Sequence, residues 1–276
     1  MSKRPDGLAR RFPIAGFFVL AFGLSWLEIV ALGIWFHLPA GLVVGLTTLA
    51  PTLASVTMTA LIDGQPGLAR LFRRLLAWRA ALAAYVIALI GLPLAYLLGT
   101  LLLPGVAGSL HPDPIVHWVI AYLITFVIGG IIGGPLFEEP GWRGFALPRL
   151  QGKFGPLGGT LVLGVLWGAW HLPQYLIPEW ATQNGGAHPL SITVFLLTVV
   201  AIAIILTWVY NRSNGSLLMV ILAHASINTA QLMVVNTLFP AAADSELNAL
   251  LGFGGLALVL LLLTRGRLSY RGDSSA

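Results

Sequence analysis

"FVIGGIIGG", residues 126–134, is apolar enough to lie in a lipid bilayer, and it runs directly into "PLFEEPGWRG", residues 135–144, where Glu138, Glu139 and Arg143 crowd together. Charges are scarce elsewhere: 57% of the 276 residues are hydrophobic and 9% are charged, against roughly 25% charged in an ordinary soluble domain. Outward from this stretch the apolar residues fall into blocks of about twenty, the length a helix needs to cross a hydrocarbon core of roughly 30 Å, whereas barrel strands would be about ten residues long and alternating. The pattern predicts an all-α, polytopic integral membrane protein. Its spans are expected near 14–36, 40–62, 81–103, 116–136, 158–177, 190–210, 217–238 and 248–264, about eight transmembrane helices.

Basic residues accumulate in cytoplasmic loops, so every lysine and arginine tests this division. All 15 fall before the first span or after the second, fourth, sixth and eighth. Both termini are then cytoplasmic, in a protein of the cell membrane, and the opposite loops carry no basic residue. The net charge of +5 reads as this bias plus attraction to anionic membrane lipids, not as a nucleic-acid footprint. Within 64–80, Leu68, Leu71, Leu75 and Trp78 recur at helical spacing with Arg70, Arg73, Arg74 and Arg79 between them. That is the pattern of an amphipathic helix at the membrane interface, or of a basic loop that holds topology. There is no cysteine, which removes disulfides and thiolate metal sites. The basic N-terminus leads into a long apolar run without a small-residue cleavage pattern, as an anchor does. No repeat or linker divides the chain, so 1–276 is expected to form a single membrane domain.

An acidic side chain near the bilayer centre costs on the order of 2.5–3.5 kcal/mol on insertion scales, which makes intramembrane ionisable groups functional candidates. Glu28 lies in the first span, Glu138 and Glu139 close the fourth, His171 lies in the fifth, and His224 and Asn228 lie in the seventh. Arg143 is four residues after Glu139 and on its face, so Glu139 can pair with the guanidinium while Glu138 points elsewhere. Pro140 frees the carbonyl of Leu136, and a kink or restart is expected there. Trp167 shares a helix face with His171, and Asn228 shares one with His224. Glu28 is read as structural, while His37, His111, His117 and His188 fall at external ends and need no special role.

A carboxylate, two histidines and an asparagine from three spans can activate water and stabilise an oxyanion. Glu138 with His171 would serve as general base, and His224 and Asn228 would donate to the developing negative oxygen, which suggests amide hydrolysis. Glu138, His171 and His224 would equally suit zinc with a water position left open, so the cofactor is undecided between zinc and none. Other plans are missing from the sequence: there is no H-E-x-x-H helix, no intramembrane aspartyl pair, and Ser226 lies on a different face from His224. A membrane binding or transport protein would use the same polar groups without cleavage, and the Gly- and Pro-interrupted helices fit that alternative.

The segments "EEPGWRGFALPRLQ" (138–151), "LWGAWHLP" (166–173) and "LAHASIN" (222–228) together resemble the three motifs of the CAAX-processing and bacteriocin-processing (CPBP, or Abi) intramembrane proteases: E-E-x-x-x-R, F-x-x-x-H, and H-x-x-x-N or H-x-x-x-D. The resemblance covers roughly 120–240, the expected catalytic core. It implies an intramembrane endopeptidase, of a family classed with the metalloproteases, acting on a membrane-embedded or lipidated peptide or protein in bacteriocin maturation, self-immunity or CAAX-type processing. It implies Glu138 as the acid–base partner of His171, His224 and Asn228 as the oxyanion site, and Glu139 and Arg143 as support. Trp167 stands where the family usually has phenylalanine.

Water must reach such a site. His224 lies about 10 Å into its helix from Leu217 at 1.5 Å per residue, which fits a cavity open to the cytoplasm, whereas His171 lies roughly 20 Å beyond residue 158. The two levels agree only if the fifth helix begins outside the membrane, which "KFGPLGG" (153–159) permits.

Overall fold

The structure, a computed structural model, describes residues 7–111, 115–242 and 247–272, with all side chains in those ranges except 115, 116 and 234–237. The described residues are mostly helical and none lies in a strand. Six runs are long and apolar enough to cross a membrane: Pro13–Trp35, Ala40–Leu76, Leu82–Leu101, His117–Leu176, Pro189–Arg212 and Leu247–Thr264. A shorter apolar helix covers Leu217–Met233. This is the architecture of a multi-pass, all-helical membrane protein. The expected fourth and fifth spans both fall inside the 60-residue run, and the expected seventh coincides with the shorter helix.

The helices that position the polar residues are α1 (Pro13–Trp35), α2 (Ala40–Leu76), α3 (Leu82–Leu101), α4 (Ile115–Thr125), α5 (Pro135–Glu139), α6 (Leu147–His171), α7 (Pro189–Arg212), α8 (Leu217–Ala230) and α9 (Leu247–Thr264). Two of them contain a sharp break. Gly64 in α2 (φ 65°) and Gly155 in α6 (φ 74°) take left-handed backbone that glycine adopts without a Cβ penalty. The break at Gly64 separates residues 65–73 from the first leg of α2, where the sequence places the amphipathic segment. The break at Gly155, followed by Pro156, redirects the leg that carries His171.

At the centre is α8, whose residues are nearly all buried and which packs against α3, α5, α7 and the turns at Phe126–Ile132. Ser216 starts it by accepting the N–H of Met219 at 3.1 Å. Neighbouring α7, apolar on all sides, is the most buried of the long helices. His188 caps its start: Nδ1 accepts the Ser191 N–H at 3.3 Å, and Ser191 Oγ accepts the His188 N–H at 3.4 Å. His188 therefore has a structural task that its position in the sequence did not reveal. Helices α3 and α9 meet backbone to backbone, since a Cβ on Gly99 or on Gly252 would come within 2.2 Å of a carbonyl oxygen on the facing helix. A polar seam joins α1, α2 and α6. Trp170 Nε1 donates to Ser25 Oγ at 2.7 Å, Ser25 Oγ donates to the Thr47 carbonyl at 3.1 Å, and Trp26 Nε1 donates to the Trp170 carbonyl at 3.2 Å.

Candidate active site

The apolar stretch that opens the sequence reading ends in wide π-type turns over Phe126–Ile132; the chain restarts at Pro135 as α5 and continues past Pro140 in further π-type turns over Pro140–Ala146. Proline has no N–H to return to the Leu136 carbonyl, which explains the departure from α geometry at the expected place. Between the two wide segments stand Glu138 and Glu139, 5% and 0% exposed. The adjacent carboxylates face different partners, as the spacing predicts.

Glu139 receives Arg143 Nη1 on both carboxylate oxygens, at 2.9 and 3.1 Å, and His224 Nδ1 on Oε1 at 2.7 Å. Arg143 is itself 0% exposed, so this is a fully buried ion pair and not a salt bridge at a helix end. Burying two charges is tolerable only because each meets the other and further polar or π contacts. The guanidinium lies 4.3 Å from the centre of the Trp167 ring, a cation–π contact, while its Nε and Nη2 have no hydrogen-bond partner among the described residues. The Glu139 oxygen that accepts from Arg143 also accepts from His224, so that ring donates through Nδ1 and turns Nε2 away from Glu139.

Glu138 is held differently. Trp142 Nε1 and Trp167 Nε1 both donate to its Oε2, at 3.3 and 3.1 Å. Its other oxygen lies over Gly134, where a Cβ would stand 2.9 Å from Oε1. Trp142 went unnoticed in the sequence as a polar partner, although it sits four residues after Glu138 in the same register that relates Arg143 to Glu139.

His171 ends α6, where its Nδ1 lies 2.8 Å from the Trp167 carbonyl. A carbonyl only accepts, so Nδ1 carries the proton and Nε2 is the free acceptor. The His171 ring sits among Trp167 at 5.8 Å, Trp170 at 4.6 Å and Phe195 at 5.4 Å, and the His224 ring meets Trp167 edge-on at 5.3 Å. Both imidazoles therefore flank one indole, and the mismatch in depth expected from helix counting is absent. What joins His171 to Glu138 is Trp167. Asn228 is half-buried one turn beyond His224 on α8. Ser226 is spent within its own helix, donating to the Leu222 carbonyl at 3.0 Å. Glu28 stands where α1 widens into π-type turns, with Oε2 buried and unpartnered among the described residues.

Among the described residues no three His, Cys, Asp or Glu side chains converge as a ligand group, while each histidine has Nδ1 held by the Trp167 carbonyl or Glu139 and leaves Nε2 open, the second contact that a metal-bound imidazole ordinarily keeps.

The buried carboxylates and imidazoles come from the three segments whose order resembles the CAAX- and bacteriocin-processing motifs. Comparison with known families agrees with that resemblance: residues 117–230 match the type II CAAX prenyl endopeptidase Rce1-like family. The chain is also 29% identical over 109 residues to CAAX prenyl protease 2 of Methanococcus maripaludis. That similarity covers 37% of this chain and 38% of the length of that curated relative.

Proposed function

We propose that the protein is an intramembrane endopeptidase that hydrolyses a membrane-associated peptide or protein segment in a cavity open to the cytoplasm. The observation that carries this reading is the fixed Glu138 carboxylate, held by two indoles of which one, Trp167, also meets both imidazole rings, each with one ring nitrogen left for other work. Glu138, with His171 Nε2 as a second acceptor, takes a proton from water, and the resulting hydroxide attacks the peptide carbonyl. His224 and the Asn228 amide hydrogen-bond the oxyanion, with the Glu139 carboxylate behind the His224 ring at Nδ1. Collapse of the intermediate breaks the C–N bond, and Glu138 returns its proton to the leaving amine. Arg143 pairs with Glu139 and, over the Trp167 ring, fixes the indole that orients Glu138.

The substrate follows from the comparisons by analogy alone, which makes prenylated C-terminal peptides the first candidates and bacteriocin precursors the second. The test is cleavage of a membrane-peptide panel holding both kinds, followed by mass spectrometry, before and after exhaustive chelation. Cleavage that survives chelation is expected, because among the described residues no three His, Cys, Asp or Glu side chains converge as a ligand group. Activity that disappears and returns only with zinc would contradict the glutamate mechanism. A folded protein that cuts nothing, yet carries a solute in a Glu138-dependent way, would move the assignment to binding or transport.

A further inference from the structure

Arg74 lies far from the three motifs in sequence and reads there as one of several cytoplasmic charges. In the structure its guanidinium spans three elements. Nε donates to the Gly215 carbonyl at 2.8 Å, Nη1 to the Gly144 carbonyl at 3.1 Å, and Nη2 to the Arg143 carbonyl at 3.3 Å and the Tyr210 hydroxyl at 2.6 Å. The charge also sits 5.2 Å from the centre of the Tyr210 ring. Three residues on, the Ala77 carbonyl accepts the hydroxyl of Ser216, the residue that caps α8.

Pro148 leaves one of the two carbonyls at 143 and 144 without a donor from its own helix. In an α-turn the Gly144 carbonyl would accept from residue 148, and in the wider π-type turn the Arg143 carbonyl would do so; residue 148 is proline and has no N–H. Gly144 also admits the approach, since a Cβ there would lie 2.7 Å from Leu71 Cδ1 on the same helical segment as Arg74. The Gly215 carbonyl belongs to the turn that starts α8, and Gly215 takes φ +78°. One side chain therefore ties the turns carrying Glu138, Glu139 and Arg143 to the start of the helix carrying His224 and Asn228. By contrast Asp63, on the same rim, makes only loose ion pairs, 4.0 Å from Arg70 and 3.6 Å from Arg149.

We propose that Arg74 is a positioning residue: by donating to the Arg143, Gly144 and Gly215 carbonyls it sets the spacing between the carboxylate turn and the histidine–asparagine helix. The proposal takes the endopeptidase reading as its frame, but its geometry can be read without catalysis. The flexible point charge of lysine cannot reproduce a fork that reaches three carbonyls and a phenol at once.

The test compares full-length wild type, Arg74→Lys and Arg74→Gln by peptide cleavage, thermal unfolding and the indole N–H resonances of Trp142 and Trp167, assigned by their loss in Trp142→Phe and Trp167→Phe. The expected result for Arg74→Lys is a kcat at least about tenfold lower with KM nearly unchanged, an unfolding midpoint close to wild type, and displaced resonances for both indoles. Wild-type kcat with unmoved resonances would overturn the proposal. So would a loss of total activity matched by the loss of folded protein, with kcat per folded molecule unchanged, since Arg74 would then serve stability alone. If wild type cleaves no peptide, the endopeptidase reading fails by itself; displaced indoles in a folded Arg74→Lys would still support the spacing role, and unmoved ones would overturn it.

Discussion

At position 167 an indole stands where the second motif usually has a phenyl ring, and the exchange changes what Glu138 can bond to. The ring still supplies an apolar face, now under Arg143, and its N–H adds a donor to the Glu138 carboxylate. Trp167→Phe removes that donor and leaves Trp142, so the expected outcome is a folded enzyme with turnover reduced several-fold but not abolished, measured by steady-state cleavage. Glu139→Gln is more severe, because it strands a fully buried guanidinium; a loss of about 3–5 kcal/mol in unfolding free energy is expected. An unchanged unfolding curve would mean that Arg143 finds another anion. The Glu139–Arg143 pair is legible in the sequence because helical spacing alone brings its members together. Trp142 has the same spacing to Glu138 but reads as one more apolar residue. Arg74 is not legible, because its partners are mostly backbone carbonyls 69 to 141 positions away, and a carbonyl leaves no mark in a sequence.

Among the elements, the glycines of the opening stretch and its continuation do more than lengthen an apolar run. A Cβ on Gly130 would come within 2.7 Å of Thr229 on α8, and one on Gly141 within 2.6 Å of the Pro51 backbone on α2. The carboxylate segment is thus wedged between α2 and α8 with no room for a methyl group on either side. Gly141→Ala cannot be relieved by a side-chain rotation, since the obstacle is main chain, so about 1–3 kcal/mol of destabilisation is expected together with lower turnover, measured by thermal unfolding and cleavage. The positions of the helices are legible from their apolar blocks. Their breaks are less so: "FGPLGG" signals an interruption near Gly155, but only the direction of the following leg brings His171 to the level of His224.

The whole molecule carries its basic residues in five groups that alternate with loops free of them. The expected outcome is that both termini and the Arg74 rim face the cytoplasm while His37, His111 and His188 face the other side. Because the chain has no cysteine, single cysteines introduced at Arg79, Arg212 and Arg267, or at His37 and His111, can be labelled from one side of sealed vesicles. Labelling of both sets from the same side would contradict the orientation and, with it, a cytoplasmic opening. Composition made the membrane class legible and the motif order made the family resemblance legible. Neither conveys how the polar groups meet, because that meeting is built around Trp167 from helices far apart in the chain.

The most direct measurement is the turnover of Glu138→Gln beside wild type, on the peptide that wild type cuts best, with folding of both confirmed by unfolding curves. Glutamine keeps the size of the side chain and an oxygen for the indole donors but cannot take a proton from water, so the expected loss is at least about a thousandfold in kcat. Turnover within a few-fold of wild type would mean that another group activates the water and that Glu138 is not the base of this site.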